Sequence, residues 1–273
     1  MPPVLEPLHR GGEGEPLVVL HGFTGTWHVW RPVMGALEER FDVLAPTLCG
    51  HCGAEGLPAG AETSIGAMAD SLEAQLDEAG IETAHIAGNS LGGWLALELA
   101  RRGRARSVVA LAPAGGWWDD RNEEKRLTRY FHRLHRMVSV AAPRARGLVS
   151  RPGLRKLMFR DVMVHGDRMP PADAARTLDG IVGCSIFFDF LDAVERDGPA
   201  VGFDEVKCPV LIAWPDHDKI FPPPKYAARY QSAVPGSALV ELPECGHVPM
   251  YDDPELVART IADFAARAAA SQP

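Results

Sequence analysis

Residues 84–101 read AHIAGNSLGGWLALELAR, a short apolar run that passes straight into an amphipathic helical pattern through Gly88-Asn89-Ser90-Leu91-Gly92-Gly93. A strand that becomes a helix within a residue or two makes a sharp, crowded bend, which small neighbours such as Gly88 and Gly92 tolerate. Ser90 stands at the apex. A turn of this kind holds a hydroxyl at the end of a strand, where a nucleophile is placed. G-x-S-x-G is a short pattern, so its meaning depends on the rest of the chain.

That surrounding texture repeats. Residues 17–20 (LVVL) end in His21-Gly22-Phe23-Thr24-Gly25, residues 41–48 form a second run, 107–112 (SVVALA) runs into Pro113, and 210–214 and 238–242 follow later. Strands that read as solid apolar runs are buried on both faces, and here they alternate with helical spacing at 27–40, 64–79, 223–233 and 254–269. The pattern predicts an α/β chain with a mostly parallel sheet flanked by helices. Thr63 or Ser64 is placed to cap the helix at 64–79 and Gly80 to end it, while 49–60 reads as a glycine-rich loop. From 117 to 198 no strand-like run appears. Helical stretches rich in Arg, His, Met and Phe are broken there by Pro143, Pro152, Pro170 and Pro171. The expected organisation is a core formed by 1–116 and 199–273, with 117–198 inserted as a helical cap.

Composition narrows the function classes. With 273 residues, 46% hydrophobic and 23% charged, the chain is long enough for one large domain with a sizeable core. A formal charge of −8 and a pI near 5.7 argue against nucleic acid as a partner, because phosphate binding wants clustered excess Lys and Arg. The opening residues show no basic segment followed by an apolar run, and no stretch approaches the roughly 18 apolar residues of a spanning helix, so a cytoplasmic protein without a membrane span is expected. Five scattered cysteines fit reduced thiols rather than a disulfide frame. The expected partner is a small-molecule substrate; self-association is left open.

A serine hydroxyl is a weak nucleophile near neutral pH and needs a base within reach and a group that orients that base. Two later turns offer both. Trp214-Pro215-Asp216-His217-Asp218-Lys219-Ile220-Phe221-Pro222 and Cys245-Gly246-His247-Val248-Pro249 each follow a strand, at the carboxyl edge where open α/β sheets bind ligands. Ser90, an acid at Asp218 and His247 occur in the chain order of one serine-hydrolase arrangement. Asp216 competes with Asp218 as the acid, since spacing alone does not place a side chain. Backbone N–H groups of Phe23 and Leu91 are positioned to meet negative charge on a substrate oxygen.

The combination of HGFTG, GNSLGG, Asp218-Lys219-Ile220-Phe221-Pro222 after a strand, and CGHVPMYDDP resembles the α/β-hydrolase family with a cap inserted after the sixth strand. The resemblance implies a nucleophile at Ser90, a base at His247, an acid at Asp218, oxyanion amides at Phe23 and Leu91, and no metal or organic cofactor. Three positions depart from it. Thr47 stands where the loop after the fourth strand commonly carries Asp, Cys52 replaces a Gly of that loop, and Pro215 replaces a Gly before the acid. Asn89, in place of the commoner His, resembles the branch that cleaves carbon–carbon bonds in diketones.

These readings predict a serine hydrolase of small to medium apolar esters or lactones, with His21, Asn89, Trp117 and Val248 near the substrate. Trp117, Trp118, Phe131, Met137, Phe159, Met163, Phe187, Phe188 and Phe190 are expected to pack the cap, some of them facing the substrate. The alternatives are a carbon–carbon hydrolase, which would use a cap arginine such as Arg155 or Arg160 to hold a substrate carboxylate, a cofactor-free haloperoxidase or perhydrolase, and a non-catalytic binding module. Simpler roles exist for several residues: Ser90 as a helix cap, His21 as a structural hydrogen bonder, His132 and His135 on a solvated face. Cys49 and Cys52 form C-x-x-C, a weak redox or metal signal without a second pair.

Overall fold

The computed structural model describes residues 6–117, 121–223 and 225–270; Trp118 lies outside them. Seven strands form one sheet in the order β1-β3-β2-β4-β5-β6-β7, with β1 at Leu8–Gly11, β2 at Glu15–Leu20, β3 at Phe41–Pro46, β4 at Ala84–Asn89, β5 at Ala105–Leu111, β6 at Val210–Pro215 and β7 at Ala238–Leu242. All neighbouring pairs are parallel except β1 with β3. Strands β4 and β6 are buried at every position, which is why they read as unbroken apolar runs.

Helices cover both faces. On one side α2 (Ile65–Glu78), α3 (Leu91–Arg101) and α8 (Lys225–Ala233) bury Leu72, Leu97 and Tyr226 against Val18, Ile86 and Ile212. On the other, α1 (Arg31–Glu38) and α9 (Pro254–Ala270) bury Leu37, Val257 and Ile261 against Leu17, Val19 and Val109. Ser64, not Thr63, caps α2: its hydroxyl accepts from the Ala67 amide at 3.1 Å. From β2 the chain steps one way to β3 and then back past β2 to β4, so the order reverses between β2 and β4. In a parallel sheet such a reversal opens a crevice at the carboxyl ends of the two strands.

Between β5 and β6 lie α4 (Arg121–Leu148), α5 (Pro152–Phe159), α6 (Pro171–Gly183) and α7 (Phe187–Asp197). The first three share a third apolar cluster that includes Val138, Val149, Phe159, Leu178 and Ile181, whereas α7 buries Phe187, Phe190 and Leu191 in the same cluster as α2 and α3. The strand before this insertion is the fifth in chain order along the described residues. Pro143 does not interrupt α4, contrary to its expected breaking role. A proline inside a helix forfeits one backbone bond, and Val138 and Ala145, buried on either side of it, hold the helix in place. Pro152 and Pro171 instead begin helices, where a missing N–H costs nothing.

The glycines of the central bend are fixed by backbone contact. A Cβ on Gly92 would lie 2.1 Å from the Leu20 carbonyl oxygen, and one on Gly88 would lie 2.0 Å from that of Gly92. Gly92→Ala is therefore expected to force α3 away from β2 and to lower unfolding free energy by about 3 kcal/mol or more. The control is Gly35→Ala in α1, where nothing lies within 4 Å of the added carbon and a gain of about 0.5–1 kcal/mol is expected. Urea unfolding of the two variants beside wild type makes the comparison. Equal stability of both would show that the bend has room it does not display.

Candidate active site

Ser90 joins β4 to α3 with φ 57° and ψ −117°, a conformation that costs free energy and persists because its surroundings enforce it. Its amide donates to Leu111 O at 2.9 Å, and its carbonyl accepts from the amides of Trp94 at 3.1 Å and Ala114 at 2.9 Å. The Gly22 turn, at the end of β2, presses on it from across the crevice: a Cβ on Gly22 would lie 3.2 Å from Ser90 Cβ. The amides of Phe23 and Leu91 donate to no acceptor among the described residues. Two free donors thus flank the serine, the arrangement an anionic oxygen requires.

Beyond β6, Asp218 is buried and accepts twice through Oδ1, from the Ile220 and Phe221 amides at 2.8 Å each. Its Oδ2 accepts from His247 Nδ1 at 2.8 Å. The His247 side chain is also buried, with Phe221 edge-on at 5.2 Å. The rival acid faces elsewhere, because Asp216 Oδ1 accepts from His217 Nδ1 at 2.7 Å and from the Cys245 amide at 3.2 Å. Ser90 and His247 face the same cavity, and no hydrogen bond joins Ser90 Oγ to the imidazole among the described residues. Contacts of this kind tighten when substrate is bound.

The four expected pocket residues fall in different places. Asn89 and Val248 line the cavity, and Asn89 Nδ2 also donates to His247 O at 2.8 Å and Leu111 O at 3.2 Å, tying the His247 loop to β4 and β5. His21 is not in the cavity. Its Nε2 accepts from the Leu48 amide at 2.9 Å and its Nδ1 donates to Gly22 O at 2.8 Å, which locks the ring beneath the turn, wholly buried. Burial and the nearby His51 hold it well below the usual histidine range, so it is a neutral structural bridge. Trp117 lines a separate small space of about 40 Å³ that touches Ser90 and Leu91 from the other side.

The main cavity measures about 320 Å³ and its walls are largely apolar, with Leu134, Val138, Phe159, Leu178 and Ile181 supplied by the insertion. This is the scale of a small-molecule site. One stretch of wall is polar: Asp173 Oδ1 accepts from Arg176 at 2.8 Å and from Arg31 at 2.9 Å, beside His28, which burial and the two arginines pull down to about 4. Arg155 and Arg160 do not line the cavity. Arg155 is buried and donates to Val149 O and Asp167 O, and Arg160 is exposed beside Asp161.

Asp252, five residues past His247, is a site residue that the sequence motifs do not single out. Its Oδ2 accepts from the Gly246 amide at 2.8 Å and the Val164 amide at 3.1 Å, and its Oδ1 from the His165 amide at 2.6 Å. The Val248 amide adds a bond to Val162 O at 2.8 Å. One buried carboxylate therefore clamps the His247 loop to the insertion. The available signal was an acid between the Gly-His turn and the proline that starts α9. Cys49 and Cys52 carry free thiols that burial pushes up, and among the described residues they belong to no group arranged to hold a metal ion. His132 is exposed, as a solvated face requires, and His135 is half-buried; both rings lie against Phe187 and Phe188, and Phe188 is itself 50% exposed rather than packed inside the cap.

Residues 17–260 match the profile of the Alpha/beta hydrolase family. Epoxide hydrolase EphH of Mycobacterium tuberculosis is 32% identical over 202 residues, covering 74% of this chain and 94% of that protein. The 2-hydroxymuconate semialdehyde hydrolase of Pseudomonas sp. is 38% identical over 113 residues, 40% of each chain. A thermophilic esterase structure from Thermogutta terrifontis superimposes with a TM-score of 0.73 at 21% identity, covering 96% of this chain and 93% of that one, and so shares the fold.

Proposed function

The chain belongs to the α/β-hydrolase family and is a hydrolase, and on that premise we propose that it cleaves carboxylic esters or lactones of small to medium apolar substrates through an acyl-enzyme on Ser90. The observation that carries this reading is the buried His247–Asp218 pair, whose imidazole shares an apolar cavity with Ser90 beside the unpaired Phe23 and Leu91 amides. His247 takes the proton as Ser90 attacks the carbonyl carbon. The two amides receive the oxyanion, and His247 then returns the proton to the leaving group. Water attacks the acyl-enzyme by the same route in reverse. Asp218 holds Nδ1 protonated, which leaves Nε2 free as the base. The helices of 117–198 act as a cap that walls the acyl group off from water.

Ring opening of an epoxide, suggested by the name of one relative, fits a serine poorly. Attack of Ser90 on an epoxide carbon would leave an ether, which has no carbonyl for water to attack, so the enzyme would not turn over. Carbon–carbon cleavage, suggested by another, is the second reading: Arg155 and Arg160 do not line the cavity, but the cap arginine Arg176 does, paired with Asp173, and Asn89 lines it beside Ser90.

A chain-length series of p-nitrophenyl esters, run beside one ring-fission diketone, tests the proposal. Ester turnover is expected to peak at short to medium acyl groups and then fall, with the diketone untouched and an active-site serine reagent attached at Ser90. Rapid loss of the diketone with feeble ester turnover would reassign the chemistry, and no adduct at Ser90 in folded protein would leave only a binding module.

A further inference from the structure

The charge of the chain is unevenly placed. Residues 121–160, the span of α4 and α5, hold twelve of the 28 Lys and Arg but only two of the 36 Asp and Glu. That segment carries about +10 and the remainder about −18, a separation large enough to orient the molecule toward an anionic partner. The cations are arranged on one side. Along α4, Arg126, Arg129, Arg133, Arg136 and Arg144 recur at helical spacing and are all exposed. None of Arg133, Arg136, Arg144 and Arg151 has a carboxylate partner among the described residues.

The same face is apolar between its cations. Val140 is 73% exposed, Met137 60% and Leu148 43% on α4, and Leu157 is 55% exposed on α5. Met137, Leu148 and Met158 are exposed and also line the main cavity, so the cavity reaches the surface through this face. The opposite side of α4, with Leu134, Val138 and Ala145, lines the interior.

We propose that the outer face of α4 and α5 docks on an anionic lipid surface, and that the cavity takes its apolar substrate from that surface. The second half rests on the ester-hydrolase reading; the first does not. A soluble polyanion or an acidic protein would reward the arginines but gain little from a bare Val140 and Leu157. A bilayer interface accepts both, with cations at the headgroups and apolar side chains among the upper acyl carbons. The described helices include none long and apolar enough to span a membrane, and docking of this kind lies on the surface rather than crossing it.

Cosedimentation of the 273-residue chain with large vesicles tests the proposal. Vesicles of phosphatidylcholine with phosphatidylglycerol are expected to bind it at low ionic strength, phosphatidylcholine alone only weakly, and high salt should release it. The triple variant Arg133→Glu, Arg136→Glu, Arg144→Glu should bind about 100-fold more weakly. Val140→Ser with Leu157→Ser should lose roughly tenfold or more. Hydrolysis of a short water-soluble ester should be unchanged in both variants, which also reports that they fold. Equal binding to neutral and anionic vesicles, or to neither, overturns the docking proposal. So does Arg-dependent binding that ignores the Val140 and Leu157 changes and is displaced by soluble polyglutamate, which would point to an acidic protein partner. Vesicle binding without turnover of any ester would refute the Ser90 reading and leave the docking surface standing.

Discussion

Ser90→Ala is expected to reduce ester turnover by about 10⁶-fold, the whole advantage of the nucleophile and its base, while leaving the protein folded. The separation of the two effects comes from local structure. The bend at Ser90 is built from backbone bonds to Leu111, Trp94 and Ala114 and from the bare glycines at 88 and 92, all of which alanine keeps. The hydroxyl itself has no hydrogen-bond partner among the described residues, so its removal should shift unfolding free energy by no more than about 0.5 kcal/mol. Steady-state kinetics on the best ester and a urea melt of the same preparation measure both. A variant that keeps most of its turnover would remove Ser90 from the chemistry, and a variant that unfolds would show that the hydroxyl is structural.

The parts of this molecule that were legible in the sequence are those where burial leaves no choice. Strands β2, β4, β5 and β6 sit between two helical layers, so their residues must be apolar almost without interruption, and the turns after β2 and β4 must be glycine-rich to fit around Ser90. Strand β1 was invisible for the opposite reason. Leu8–Gly11 lies at the sheet edge with every residue exposed or half-buried, and its pairing with β3 depends on backbone bonds that charged residues make as readily as apolar ones. Net charge misled in another way. The sum of −8 averages a strongly basic insertion with an acidic remainder, and an average says nothing of where a field points. Asp252 was hard to read because two of its three amide partners, Val164 and His165, belong to a segment some 87 residues away; local spacing announces only the third, Gly246. His21 shows the limit of motif reading from the other side. Its place beside the oxyanion turn was legible, but which way its two nitrogens point was decided by Leu48 and Gly22.

The choice between the two acids of the β6 turn gives the other large effect. Asp218→Asn is expected to lower kcat by about 10⁴-fold with little change in KM, and the reason lies in the oxygen that does not touch His247. Asp218 Oδ1 accepts from two backbone amides at 2.8 Å, so an asparagine would keep its carbonyl oxygen there and present its NH2 group to His247 Nδ1. A donor facing Nδ1 makes that nitrogen an acceptor and moves the ring proton to Nε2, the position from which the base must work. The imidazole would be held in place in the wrong tautomer. Asp216→Asn, by contrast, disturbs an exposed His217 and one amide of Cys245 and should change kcat by no more than about threefold. Comparing the two variants on one ester, with thermal melts to show both folded, separates an orienting acid from a merely nearby one. Equal losses in the two, or a larger loss at Asp216, would mean that the working enzyme pairs His247 differently from this structure.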